Sequence, residues 1–418
     1  MRDIDTLIIG GGQAGLAMSR SLTERGVEHV VLERGRVGER WRSERWDSLT
    51  LLTPRWLSRL PGWRGDAADP NGFMSRLELI RYLAGYAAHF RVPMQSGVTV
   101  RAVRQVDEGY EVETDQGSWR AQRVVVATGQ SQAARVPTMA LELDPSVRQI
   151  VPTRYRAPED LPEGGVLVVG ASATGIQLAE EIHCSGRPVT LSVGRHTRLP
   201  RRYRGWDIMQ WLNDMGALDQ KTHEVESLSA SRDQPSMQLV GSPTHRTLDI
   251  PTLLAAGVSL VGRAMGVRGS KVFFADDLVE TLAAADFKLA SLRLRIDRHI
   301  ARASADIGQL APPDEFRPTP LPWSPDVLDL KASGIRTVLW ATGFTRSYPW
   351  LHVPVLDSLG EIRHVGGITP ASGLYALGLN FMRRRSSSFL TGVGRDAEEL
   401  ADHIVASRTG VRPMRSVA

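Results

Sequence analysis

The stretch Asp5-Thr6-Leu7-Ile8-Ile9-Gly10-Gly11-Gly12-Gln13-Ala14-Gly15 decides the fold. Residues 7–9 are an apolar run suited to a buried parallel strand, and residues 16–22 behind the glycines have helical spacing. A Gly-x-Gly-x-x-Gly turn between a strand and a helix is a dinucleotide-binding signature. Gly10 permits the tight turn, Gly12 lets the backbone approach a pyrophosphate, and Gly15 allows close packing of helix on strand. The helix N-terminus offers N–H groups and partial positive charge to phosphates. A second strand, Val30-Val31-Leu32, ends in Glu33, 23 residues after Gly10. An acid there accepts hydrogen bonds from ribose hydroxyls and repels a 2′-phosphate.

The pattern occurs twice. Val166-Leu167-Val168-Val169 runs into Gly170-Ala171-Ser172-Ala173-Thr174-Gly175, which opens a helix over 176–182. Ser172 is small enough for close approach of a pyrophosphate. The following strand, residues 189–193, ends at Val193 where the first copy has its acid, and Gly194, Arg195, Arg198, Arg201 and Arg202 follow. Replacing the acid by guanidinium groups suits a 2′-phosphate. The first site therefore reads as an FAD site and the second as an NADPH site, with Arg195 its expected phosphate ligand. Each copy is followed by an apolar strand ending in Ala-Thr-Gly, at 127–129 and 341–343. Small residues at a strand end mark a close approach of backbone to another segment or a ligand. The repetition implies that the chain returns from each nucleotide unit to a shared junction.

Composition narrows the remaining choices. With 42% hydrophobic and 23% charged residues over 418 positions, the chain is ordinary globular material of two or three domains. The formal charge of +5 and pI near 9.6 raise the question of nucleic acid. Lysine occurs only at 221, 271, 288 and 331, however, and the arginines are scattered along the whole chain, so the basicity reads as background. One cysteine, Cys184, excludes an internal disulfide or a Cys-x-x-Cys redox pair, and no histidine spacing suggests a metal. His183 and Cys184 read as buried packing residues. No run reaches the ~18 apolar residues of a membrane span, and a strand starts almost at once, so the expected location is the cytoplasm.

Between the fingerprints, residues 98–103 and 110–114 alternate like a meander around a Glu108-Gly109 turn. Residues 277–304 contain a helical pattern, and 312–325 form a proline-rich connector. Trp206, Met209 and Trp211 have helical spacing, fitting an internal packing face or a lid.

Two fingerprints 160 residues apart, the Ala-Thr-Gly repeat, Gly38-Glu39-Arg40-Trp41, Trp46-Asp47-Ser48-Leu49-Thr50-Leu51-Leu52-Thr53-Pro54 and Leu60-Pro61-Gly62 resemble the flavin-containing monooxygenases. The likeness is to bacterial relatives and the plant indole-3-pyruvate monooxygenases, and it spans essentially the whole chain. It implies an α/β fold of two Rossmann-like domains, with an FAD unit over 1–155 and 336–418 interrupted by an NADPH unit over 156–335 carrying a helical insertion. Gly10, Gly12, Gln13, Ala14, Gly15, Glu33, Arg40, Trp41, Val100, Ala127 and Gly129 would then meet FAD. Gly170, Ser172, Ala173, Thr174, Gly175 and Arg195 would meet NADPH. Trp46, Leu52, Asn380 and Phe381 are candidates for the substrate pocket, with flavin packing or plain core as their other reading.

The activity implied is reduction of FAD by NADPH, formation of a C4a-hydroperoxyflavin with O2, and transfer of one oxygen atom to nitrogen, sulfur or activated carbon of a small metabolite. Small-molecule substrate and O2 are the expected partners, without nucleic acid, and a homodimer is compatible with this. One position departs from the family: Val151 stands where the linker motif before the second fingerprint carries a histidine, although Tyr155 fits. That departure speaks against a Baeyer–Villiger enzyme and supports an alternative, an NADPH:acceptor flavin oxidoreductase without productive oxygenation. A non-catalytic nucleotide-binding protein is the third reading.

Overall fold

Apolar strands that run into glycine-opened helices build two parallel-centred sheets from one chain. The computed structural model describes residues 1–65, 69–302 and 310–408. In the first sheet the strands lie in the order Leu351–His352, Val100–Val106, Gly109–Thr114, Gly117–Val126, Arg2–Ile9, His29–Glu33, Met94–Ser96. Leu374–Ala376 also pairs with the end of Gly117–Val126. Arg2–Ile9 is parallel to both neighbours, with Leu7 opposite Val30 on one side and Val124 on the other. Leu7, Ile8, Val124 and Val125 are completely buried, as expected of strands covered on both faces. The expected meander is present, and its third strand extends through Val124-Val125-Val126 to the first Ala-Thr-Gly.

The second sheet is wholly parallel, in the order Arg148–Ile150, Ile335–Trp340, Gly165–Val169, Val189–Ser192, Ser259–Val261. Its membership displaces the expected divisions at 155/156 and 335/336. Strands at 148–150 and 335–340 hydrogen-bond within the second sheet, so both crossings lie on the other side of them. The crossings themselves run side by side: Ala133–Ala134 pairs antiparallel with Phe344–Thr345, and Arg135 N–H donates to the Gly343 carbonyl at 2.9 Å. The shared junction thus takes the form of a short two-stranded ribbon just after each Ala-Thr-Gly.

Both fingerprints are shaped by the strand ends beside them. Gly10 and Gly170 each have φ +111°, and an added Cβ would lie 2.6 Å from the Ala127 carbonyl oxygen in one case and 2.4 Å from that of Ala341 in the other. A Cβ on Gly15 or Gly175 would come within 1.9 or 1.7 Å of the Gly10 or Gly170 carbonyl oxygen. Each Ala-Thr-Gly therefore closes on the first glycine of its own fingerprint.

Two of the arginines that could have been phosphate ligands, Arg198 and Arg201, are instead structural. Arg198 is buried and donates to Asp249 at 2.8 Å and Asp286 at 2.6 Å. Asp286 also accepts from the Thr319 N–H at 2.6 Å, which fastens the proline-rich connector to the helix Leu278–Arg302. Residues 303 and 304 of the expected helix lie outside the described residues. Arg201, completely buried, donates to the Leu52 carbonyl at 2.7 Å and to Asp207 at 2.5 Å. Met209 and Trp211 are fully buried, with Trp206 stacked on Trp211 at 4.6 Å, so this stripe is a packing face. Cys184, contrary to expectation, is exposed, because the helix Ala173–Cys184 ends there at the surface.

Candidate functional site

A cavity of about 1730 Å³ lies between the two sheets and the segments that join them. One end is the first fingerprint. Gly12 begins the helix Gln13–Glu24, no side chain caps that helix, and an added Cβ on Gly12 would meet nothing within 4 Å. The uncapped N–H groups thus open on free space, a cradle that accepts an anionic pyrophosphate. Glu33, at the end of its strand and 9% exposed, has its carboxylate oriented by N–H donors from Gly11 at 2.6 Å and Gly35 at 2.9 Å. Each oxygen retains acceptor capacity toward a ribose hydroxyl.

The cavity wall brings together Gly10, Gly12, Gln13, Ala14, Glu33, Arg40, Trp41, Val100, Ala127 and Gly129. Gly15 is excluded because it packs behind the turn against Gly10. Arg40 and Trp41 stand on the short helix Glu39–Ser43, where Arg40 donates to the Ser131 carbonyl at 2.5 Å. Gln13 Nε2 donates to the Ser388 carbonyl at 2.8 Å and ties the fingerprint to the turn at 385–388. Residue types, cradle and volume fit a flavin dinucleotide.

Of the second fingerprint, Ala173 and Thr174 face the same cavity, whereas Gly170, Ser172 and Gly175 lie outside its wall. Ser172 begins the helix Ala173–Cys184, also without a side-chain cap. Arg195 is exposed beyond the strand Val189–Ser192, forms no ion pair or hydrogen bond among the described residues, and does not line the cavity. It is available to a 2′-phosphate at the strand end, unlike Arg198 and Arg201.

All four pocket candidates, Trp46, Leu52, Asn380 and Phe381, line the cavity. Asn380 Nδ2 donates to the Arg232 carbonyl at 3.1 Å, and Phe381 holds φ +46°, unusual for a bulky residue. Arg45 is a wall residue that sequence reading passed over. Burial pulls its guanidinium down to about 10 against the opposing pull of Glu44, and it lies over Trp41 and Phe344 at 5.4 and 5.7 Å. Its place between the quoted Arg40-Trp41 and Trp46 was the available signal. Lys288, Arg295 and Arg385 also reach the wall, from segments remote in sequence. Among the described residues no three His, Cys, Asp or Glu side chains gather as a metal site, and no helix is long and apolar enough to cross a membrane.

This geometry offers two candidate dinucleotide cradles, and comparison with known proteins supplies the class. Residues 7–215 match the family described as pyridine nucleotide-disulphide oxidoreductase. An uncharacterized oxidoreductase, CzcO-like, of Geobacillus kaustophilus is 32% identical over 406 residues, covering 96% of this chain and 98% of that protein. A probable indole-3-pyruvate monooxygenase, YUCCA1 of Arabidopsis thaliana, is 31% identical over 181 residues, 42% of this chain and 44% of its own. A solved flavin-containing monooxygenase from Stenotrophomonas maltophilia shares the fold, with TM-score 0.68 at 19% identity over 98% of this chain and 100% of that one. The chain belongs to the pyridine nucleotide-disulphide oxidoreductase family and is related over nearly its whole length to a CzcO-like oxidoreductase. Membership implies use of a flavin and a pyridine nucleotide.

Proposed function

We propose that the protein is an NADPH-dependent FAD monooxygenase that places one oxygen atom on nitrogen, sulfur or activated carbon of a small organic molecule. The observation that carries this reading is the single cavity into which both fingerprints open, Gly12 and Glu33 from one and Ala173 and Thr174 from the other. Two dinucleotides bound at these sites have a common space in which their reactive ends and a substrate meet. A bound flavin supplies hydride acceptance from NADPH and the activation of O2, chemistry that needs no side-chain acid–base pair.

The chain's own residues bind, orient and shield. Gly10 and Gly15 hold the first turn tight enough for the uncapped helix to receive a pyrophosphate, and Glu33 orients a ribose. The helix Ala173–Cys184 receives the second pyrophosphate, with Arg195 holding a 2′-phosphate and so preferring NADPH to NADH. Trp41, Trp46, Leu52 and Phe381 exclude water from the reacting centre, which suppresses wasteful loss of the activated oxygen. Asn380, fixed by its bond to the Arg232 carbonyl, can present its side-chain carbonyl to a substrate N–H or O–H.

Val151 is the observation behind the second reading, an NADPH:acceptor oxidoreductase. It packs, partly buried, with the apolar cluster around Leu167 and Trp340 and presents no titratable group to the junction. Isotope-labelled O2 separates the two. The monooxygenase reading expects one labelled atom in product per NADPH consumed with a good substrate. NADPH consumption with label only in peroxide and water across a broad nitrogen, sulfur and carbonyl panel would establish the oxidoreductase instead.

A further inference from the structure

The far wall of the cavity carries a guanidinium without a carboxylate. In the run Arg383-Arg384-Arg385 the first two arginines are neutralised: Arg383 pairs with Glu399 at 2.8 Å, and the buried Arg384 pairs with both Asp396 and Glu399. Arg385 turns the other way, into the cavity. It is half-buried and pairs with no acid among the described residues. Its Nε donates to the Gln220 side-chain oxygen at 2.6 Å and an Nη to that of Gln234 at 3.2 Å. Arg295 approaches from the helix Leu278–Arg302, lines the same cavity, and likewise has no acidic partner among the described residues. Burial and the like charge of Arg295 together make the Arg385 cation easier to deprotonate than usual.

Its placement is rigid. The backbone of 383–386 is joined to the insertion by Thr222 N–H donating to the Arg383 carbonyl at 3.1 Å, Arg385 N–H to the Gln220 carbonyl at 3.0 Å, and Ser386 N–H to the Leu218 carbonyl at 3.0 Å. The guanidinium lies over the Phe381 ring at 5.0 Å, and Phe381 itself is held in the left-handed region. A partly desolvated cation that meets only neutral amide oxygens, with a second cation nearby, is electrostatically incomplete, and an anion completes it. A guanidinium fork takes a carboxylate through paired N–H donors.

We infer that Arg385 is a specificity-determining residue that binds the carboxylate of an acidic substrate, an aliphatic or aromatic carboxylic acid whose apolar body lies toward Trp46 and Leu52. This rests on the oxygenating role proposed above. An anion at this wall could also be the phosphate of the pyridine nucleotide; the substrate is favoured because Arg385 stands on the Asn380–Phe381 side of the cavity, whereas the exposed Arg195 lies outside it beyond its strand end.

The test uses the flavin-loaded protein and isothermal titration calorimetry with phenylacetate and its neutral counterpart phenylacetamide. The expected result is acid bound at least about tenfold tighter than amide by the unaltered protein, a preference abolished in Arg385→Gln and partly kept in Arg385→Lys, in line with a charge-assisted hydrogen bond. Arg120→Gln, which removes an exposed arginine outside the cavity wall, should retain the preference and so controls for net charge. Equal binding of acid and amide, no binding of either, or a preference surviving in Arg385→Gln would overturn the inference. So would an Arg385→Gln variant whose KM rises for NADPH and not for NADH, since that assigns the guanidinium to the nucleotide phosphate. Because calorimetry requires no turnover, an acid preference without any oxygenated product would sink the monooxygenase reading alone. Oxygenation without an acid preference would sink this inference alone.

Discussion

Gly12 and Gly15 differ by three positions and by what a methyl group would do to each. A Cβ on Gly12 enters open space, so Gly12→Val should leave the apoprotein's thermal midpoint close to that of the original and abolish retention of flavin, read as the flavin-to-protein absorbance ratio after gel filtration. A Cβ on Gly15 would sit 1.9 Å from the Gly10 carbonyl oxygen, so Gly15→Val should destabilise the apoprotein itself by at least the ~1–3 kcal/mol of ordinary overpacking. Equal melting losses in both would mean that Gly12 is structural and that the cradle has been misassigned. Arg195 carries a second test at this scale. Its replacement by Ala should raise KM for NADPH by about ten- to a hundredfold, the value of a charge-assisted hydrogen bond, with little change for NADH. Parallel changes for both nucleotides would remove Arg195 from the phosphate site. The role of Gly15 was legible in sequence because it depends on Gly10, five residues away. Separating Arg195 from Arg198 and Arg201 was not, since Asp249, Asp286 and Asp207 had first to be brought beside the latter two.

At the scale of elements, the helix Ala173–Cys184 touches the flavin side through Glu181. Burial pushes this carboxyl up to about 7, helped by the nearby Glu159, Asp47 and Glu180 and opposed by a hydrogen bond with Ser48. Tyr155, whose hydroxyl is buried without a partner among the described residues, stands in the same field. A carboxyl whose folded value exceeds its ordinary 4.5 favours the folded state while protonated. That contribution is complete below about 4.5 and is lost as pH rises to about 7. Glu181→Gln should therefore melt increasingly above the unaltered protein as pH is raised through this window, and a constant difference in midpoint would refute the linkage. The Arg198 cluster gives an element-scale prediction of opposite sign. Arg198→Ala leaves Asp249 and Asp286 buried without their cation and should cost about 3–5 kcal/mol in denaturant unfolding, with loosening of the 317–319 connector detectable as faster proteolysis. Helix starts and strand ends were readable from local pattern, as at the fingerprint-opened helices Gln13–Glu24 and Ala173–Cys184. Strand membership was not: Arg148-Gln149-Ile150 and residues 335–340 are short segments with no local mark of their sheet, and pairing of 335–340 with Gly165–Val169 on one side and 148–150 on the other decides it.

Across the whole molecule, the two crossings at 133–134 and 344–345 are one hydrogen-bonded ribbon, so the sheets are linked by a short shared connection and otherwise by contacts between separate segments. Asp47 N–H donating to the Arg156 carbonyl at 3.0 Å and Arg201 donating to the Leu52 carbonyl at 2.7 Å are among these links. Arg201→Met would remove the second link while retaining apolar bulk. Leu52 lines the common cavity, so the substitution should lower the fraction of NADPH that yields oxygenated product more than it lowers the rate of NADPH consumption. A fall of both in proportion would show that Leu52 has no part in shielding the reacting centre.

The sequence by itself determined two dinucleotide units, their order along the chain, the glycines that shape each turn and the acid that ends the first ribose strand. Those features are set by contacts within one strand–turn–helix unit, where spacing along the chain is spacing in space. Only the tertiary structure decided which strands each sheet contains, which arginines remain free, and that Arg385 reaches the same cavity as Gly12. Such outcomes depend on charges and strands meeting across a packed interior, as when Arg198 meets Asp249 and Asp286, where burial makes an ion pair decisive and no local pattern records which partner is met.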